Sequence, residues 1–251
     1  MYNRYIIKNK KWSKIPYPGE IESPSGIDYN TGYWVMNYFN YIGNGLFTNK
    51  KGKSIILDVK NPKDINFDDE LKKVEEVLGQ IEDRENDIIN YWKEKSIVEI
   101  VMCIALKLLT DYEGSDGMKV RITSVLAKSI NDAYIIATYF KYFLDIPRPI
   151  QLNEKLNISM ETPKSPSYPS AYLTTIVTAI EILVHYFPKE RDKLLIIQQQ
   201  LGEARLYGGI NFKKDLYEGV RLGKQIGSSI IMEISMERDI KGEVIDKFCS
   251  K

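Results

Sequence analysis

Residues 169–187 read PSAYLTTIVTAIEILVHYF, and this stretch sets the architecture of the chain. Leu173, Ile176, Val177, Ile180, Leu183, Val184 and Phe187 recur at helical spacing and form one apolar stripe. Thr174, Thr178, Glu181 and His185 fall on the other side, so the spacing predicts a helix over 170–187 with one polar face. The helix opens on Pro169-Ser170, where a serine hydroxyl and the N–H groups of Ala171 and Tyr172 can face an anion. His185 is the single histidine of the chain and is read as a partly exposed surface residue.

Outward from this helix, the chain from Asp68 onward reads as helix after helix. Leu71, Val74, Val77, Leu78 and Ile81 follow an acidic start that suits a helix N-terminus. Further helices are expected over 83–93, 97–109, 118–144, 189–205 and 211–236, with Pro147 and Pro149 stopping the long one. The 97–109 segment is apolar on most sides and is expected to be buried. Residues 67–251 are therefore expected to form one all-α unit. Residues 1–66 carry Pro16, Pro18, Pro24 and Pro62 among six glycines, which favours an irregular N-terminal arm with at most a short hairpin. Its one plausible strand is 54–59. Trp12, Trp34 and several tyrosines would be wasteful in a free tail, so the arm is expected to wrap the core.

Composition narrows the function. In 251 residues, Lys+Arg 35 against Asp+Glu 34 leaves a net charge of +1, which gives no support to a nucleic-acid partner or an acidic membrane surface. Glu99, Lys107, Glu181 and His185 interrupt the best apolar runs, short of the ~20 clean residues a membrane span needs. The first fourteen residues show no secretory pattern. Cys103 and Cys249 fit no metal spacing and read as reduced structural thiols. The expectation is a cytoplasmic protein without a metal or organic cofactor, with association of identical copies left open.

Three blocks carry chemistry. Lys141 and Arg148 lie seven apart across a helix end, and Pro147 and Pro149 restrain the arginine backbone. Ser170 and Ala171 follow Pro169. Arg205 precedes Gly208-Gly209, and Asn211 and Asp215, four apart, are expected to share one face of the last helix. Three cations, directed N–H groups and a serine hydroxyl are what a phosphate-like anion requires.

These blocks resemble the three motifs of the vanadium-dependent haloperoxidase and type 2 phosphatidic acid phosphatase superfamily: K-x6-R-P, P-S-G-H and S-R-x5-H-x3-D. Here they read Lys141-x6-Arg148-Pro149, Pro169-Ser170-Ala171-Tyr172 and Ala204-Arg205-x5-Asn211-x3-Asp215. Residues 130–133, 206–210 and 221–227 are similar to its soluble bacterial branch. The resemblance implies a helical bundle in which Lys141, Arg148, Ser170, Ala171 and Arg205 hold phosphate, sulfate or vanadate. Alanine at 171 keeps the N–H that glycine would supply. It also implies that Tyr172 stands at the position of the general acid, and Asn211 at that of the histidine that attacks phosphorus or binds vanadium. Asp215 stands at that of the orienting carboxylate. An amide nitrogen has no available lone pair, so Asn211 cannot take that part. A phenol titrating near pH ~10 is a poor acid at neutral pH. The expected function is a catalytically degenerate member, a pseudoenzyme, that binds an oxyanion or a phosphorylated ligand without efficient turnover. One alternative is a phosphoester hydrolase with a different nucleophile and Tyr172 as acid. Another is a structural or interaction protein with a relic site, whose cations pair with Asp132, Asp145 or Asp215.

Overall fold

In the computed structural model, which describes residues 10–246, the predicted core helix is α6, Ala171–Tyr186. Residues 1–9 and Cys249, on which part of the leader and thiol readings rest, lie outside the described residues. Ser170 caps α6 by accepting a hydrogen bond from the Leu173 N–H at 3.3 Å. Before it come α1 (Phe67–Leu78), α2 (Asp83–Trp92), α3 (Ile97–Asp111), α4 (Asp116–Leu144) and a single helical turn, α5 (Pro149–Leu152). After it come α7 (Arg191–Tyr207) and α8 (Lys213–Ser235). The long α4 starts at Ser115, whose side chain caps it, and stops at Asp145, which is left-handed with φ 55° just before Pro147.

α6 packs most extensively on α8 and α4, and the main core runs along all three. The expected polar face of α6 is only half present: Glu181 and His185 stay partly exposed, but the first half of that face is buried. Thr174 and Thr178 are completely buried. They tolerate burial because their hydroxyls donate to the carbonyl one turn back, Thr174 to Ser170 and Thr178 to Thr174, both at 2.9 Å. That face of α6 lies against three α8 glycines spaced four apart. A Cβ on Gly219 would sit 2.8 Å from the Ser170 carbonyl oxygen, and one on Gly223 would sit 2.6 Å from that of Thr174. The glycines let the two backbones touch, and Thr178 also donates to the Gly223 carbonyl at 3.1 Å. Gly223→Ala is therefore expected to destabilise the protein by about 1–3 kcal/mol through overpacking against backbone, outweighing the ~1 kcal/mol helix-propensity gain. Chemical denaturation measures this, and an unchanged or higher midpoint would contradict the close-contact reading.

The arm is tied to the helices at several points. Asp132 of α4, fully buried, accepts the backbone N–H groups of Asn37 and Tyr38 at 2.8 and 2.6 Å. Trp12 N–H reaches the Asp145 carbonyl, and Gln151 Nε2 donates to the Trp12 and Ile15 carbonyls. The strand expectation needs correction. A three-stranded antiparallel sheet forms from β1 (Phe39–Gly43), β2 (Leu46–Asn49) and β3 (Ser54–Ile55), so the predicted strand keeps only its first two residues. The hairpin turns at Asn44-Gly45, both at positive φ.

Two further readings change. Segment 97–109 does form a helix, but only one side is buried, and Val98 and Leu106 are more than half exposed. Cys103 is exposed on that helix rather than packed as a structural thiol. His185 is half-buried, as expected of a partly exposed residue, and burial lowers its pKa.

Candidate functional site

The C-terminal end of α4, the turn into α5, the first turn of α6, the end of α7 and the loop into α8 meet at one place. There a cavity of about 150 Å³ is lined by Lys141, Arg148, Ser170, Ala171, Tyr172, Arg205 and Asn211. Seven of the eight residues singled out in the sequence thus share one cavity, and the eighth, Asp215, lies directly behind Asn211.

Each cation is held differently. Arg148 is buried, with extended backbone fixed by its N–H donating to Gln151 Oε1 at 2.8 Å. Its guanidinium donates to the Ser165 carbonyl (Nε, 2.8 Å), the Ile210 carbonyl (Nη1, 2.9 Å) and the Ser165 hydroxyl (Nη2, 3.2 Å). All three acceptors are neutral, so the arginine is anchored without being neutralised. Arg205 keeps some surface toward the cavity, but its Nε is sealed from solvent and has no hydrogen-bond partner. The Tyr172 ring covers its guanidinium at 4.5 Å from the ring centroid. Lys141 is buried, and no hydrogen bond or ion pair holds its ammonium among the described residues.

Desolvation dominates the electrostatics. Burial, and then the charge of Arg148, holds Lys141 well below the ordinary lysine range. Burial followed by Arg148 pushes Arg205 down to about 10, which leaves it cationic at neutral pH. Burial also lowers Arg148 and raises Asp215 and Tyr172. A phenol moved upward is a still poorer acid than the free side chain.

None of the three carboxylates proposed to neutralise these cations forms an ion pair with them, although the charge of Asp215 partly offsets those of Lys141 and Arg148. Asp132 is committed to Asn37 and Tyr38, and Asp145 to the backbone N–H and hydroxyl of Ser13. Asp215 Oδ2 accepts the Ser167 hydroxyl, Asn211 Nδ2 at 3.0 Å and the Phe212 N–H at 2.8 Å, while its Oδ1 is buried without a partner. Asn211 is not on the last helix as expected. α8 begins at Lys213, so Asn211 sits in the preceding loop and Asp215 occupies the first turn, capping it through Phe212. The contact between them spans the helix N-cap, Phe212, with Asn211 just before it and Asp215 in the first turn. Both acceptors of Asn211 Nδ2, the Asp215 carboxylate and the Ser167 carbonyl at 3.4 Å, fix the amide so that Oδ1 is its remaining free end.

Ile97, Tyr134, Pro163 and Ser165 also line the cavity and were not singled out in the sequence. Ser165 and Pro163 lie in an irregular loop with no periodicity to expose them. Tyr134 is hidden among the many apolar positions of α4. Among the described residues no cluster of metal-ligating side chains occurs, and no helix is long and apolar enough to cross a membrane.

The sequence matches no family model and no curated protein. Solved structures do match. A bacterial vanadium-dependent iodoperoxidase superposes with a TM-score of 0.71 at 18% identity, over 90% of this chain and 62% of that one. LpxE of Aquifex aeolicus gives 0.53 at 18% identity, over 70% of this chain and 99% of that one. A transmembrane PAP2-type phosphatidylglycerolphosphate phosphatase from Bacillus subtilis gives 0.50 at 14%, over 69% and 88%. The chain therefore has the fold shared by vanadium haloperoxidases and PAP2-type phosphatases. It spans about three-fifths of the iodoperoxidase's length (62%).

Proposed function

We propose that this protein binds a phosphate-like oxyanion, or the phosphate of a phosphorylated ligand, between Lys141, Arg148, Arg205 and the N-terminus of α6, without efficient turnover. The observation that carries this reading is three basic side chains on one cavity, none of them in an ion pair with a carboxylate. A buried positive cluster of this kind repels itself, and an entering anion relieves that repulsion. Lys141 and Arg205 have unused donors, and each charge-assisted hydrogen bond contributes roughly 1.5–3 kcal/mol before desolvation is subtracted. The Ser170 hydroxyl and the first N–H groups of α6 add neutral donors at the positive end of the helix dipole.

Turnover is poorly served by the same residues. Asn211 offers no nitrogen lone pair, and its amide nitrogen is already turned to Asp215. The cradle suits vanadate as a tetrahedral anion, but Asn211 offers no nitrogen lone pair for a bond to vanadium. Tyr172 stacks on Arg205 and is shifted away from neutral pH, so its role is to cover and steady that guanidinium.

Melting curves at constant ionic strength test the binding. Phosphate at a hundred times its Kd stabilises by about 2.7 kcal/mol, or roughly 5–10 °C for a domain of this size. Arg148→Ala combined with Arg205→Ala should remove the shift. An equal shift in the double variant would mean that the anion binds elsewhere.

A further inference from the structure

We propose that the ligand is a compact, hydroxylated phosphomonoester, its phosphate in the cradle and its short ester group in a side compartment, hydrogen-bonded to Thr138. This deepens the oxyanion reading and rests on it. The side compartment, about 90 Å³, adjoins the main cavity, and the two share Tyr134, Lys141, Pro163, Ser165 and Ala171 as walls. A group attached to an anion at Lys141 therefore has this space beside it.

Size sets the first limit. A cavity of roughly 150 Å³ holds one benzene ring, so this one suits a group of three or four heavy atoms. The arm closes it on one side. Ile27 N–H donates to the Lys164 carbonyl at 2.9 Å, the Tyr142 hydroxyl donates to the Ile27 carbonyl, and the Tyr134 hydroxyl donates to Asp28 Oδ2 at 2.9 Å. A space of about 90 Å³ is too small for a fatty acyl chain.

Thr138 sets the second. It is 3% exposed, lines the compartment, and its hydroxyl makes no hydrogen bond among the described residues. That is unlike the buried threonines of α6, where Thr174, Thr175 and Thr178 each donate to the carbonyl four residues back. The Thr138 hydroxyl is not among the sealed, unpartnered polar atoms, so it opens onto the compartment, where a ligand hydroxyl can take the place of water as its partner. Thr138 lies one turn before Lys141 on the same face of α4, and both line this compartment. The group it meets is then close to the phosphate, as a hydroxyl two or three bonds along a short ester would be.

Titration calorimetry with inorganic phosphate, ethyl phosphate, glycerol phosphate and dihexanoyl phosphatidic acid separates the possibilities. Glycerol phosphate should bind about three- to tenfold tighter than ethyl phosphate, the worth of one hydrogen bond. Thr138→Val should erase that preference while leaving inorganic phosphate affinity unchanged, and Thr138→Ser should retain it. Equal affinity for the two esters in the native protein would overturn the proposal. So would a preference that survives in Thr138→Val, or dihexanoyl phosphatidic acid binding as tightly as glycerol phosphate. Failure of inorganic phosphate itself to bind would strike the cradle reading first, and this inference with it.

Discussion

Lys141→Met is expected to raise the melting temperature of the ligand-free protein and to remove most of its stabilisation by sulfate. The lysine is buried, has neither ion pair nor hydrogen bond among the described residues, and feels two further cations, Arg148 and Arg205, only partly offset by the charge of Asp215. Methionine has nearly the same shape and no charge to desolvate. Replacing even a buried ion pair by apolar groups of similar volume is neutral or gains about 1–4 kcal/mol, and an unpaired lysine has no pair attraction to lose, so a rise of several degrees is expected here. The sign of the pH effect follows from the lowered lysine. Below its unfolded pKa of ~10.4 and above its folded one, the unfolded chain binds more protons, so native stability rises with pH in that window. The variant lacks this increment, so its advantage should be largest at low pH and shrink toward alkaline pH. Sulfate keeps its charge across neutral pH, so its binding to the native protein should weaken as pH rises through the Lys141 titration. In the variant that dependence should flatten. A lower melting temperature, or an undiminished sulfate shift, would mean that Lys141 is compensated by a group other than the anion.

What the sequence could and could not convey follows from the range of the interactions involved. The three blocks were legible because caps, prolines and charges act locally, and Ser170 starts α6 where its spacing predicts. That Lys141, Arg148 and Arg205 share a cavity was legible only through the ordered motifs, since they lie on separate elements. The buried face of α6 was misread because threonine counts as polar in a periodicity. Its burial depends on hydroxyls bonding their own helix and on Gly219 and Gly223 of a helix some forty residues away. The hairpin carried a signal in Asn44-Gly45 that the surrounding breakers obscured. Asn211 was placed on α8 by the four-residue interval to Asp215. In the fold, that interval spans a loop and a helix cap instead. The side compartment was not legible at all, because Ile27 and Asp28 reach it from an arm without periodicity.

Asn211→His is expected to raise phosphomonoesterase activity well above that of the native chain. The geometry for an imidazole is already in place. Asn211 Nδ2 donates to Asp215 Oδ2 at 3.0 Å, and the ring N–H of a histidine at this position would make the same bond. With Nδ1–H on Asp215, ring carbon Cδ2 would take the place of the amide oxygen, and Nε2, with its lone pair, would project one bond further out. Asp215 is itself held by Ser167 and the Phe212 N–H, so the orienting carboxylate does not depend on residue 211. Attack by that nitrogen on phosphorus would form a nitrogen–phosphorus bond and expel the ester oxygen, which must take up a proton. Tyr172 is ill suited to give it, being shifted upward by burial and stacked on Arg205. Adding Tyr172→His supplies an acid nearer neutral pH, at the cost of part of the Arg205 stack. A well-placed acid or base is worth about 10²–10⁴-fold, so the double variant should exceed the native chain by at least ~10²-fold. Arg205→Ala should abolish the gain. Phosphomonoester hydrolysis assays on the native chain and both variants decide the matter. Should the native chain already turn over at a normal enzymatic rate, and lose that rate on Arg205→Ala, the degenerate-site reading is wrong and a nucleophile other than residue 211 is at work in this cavity.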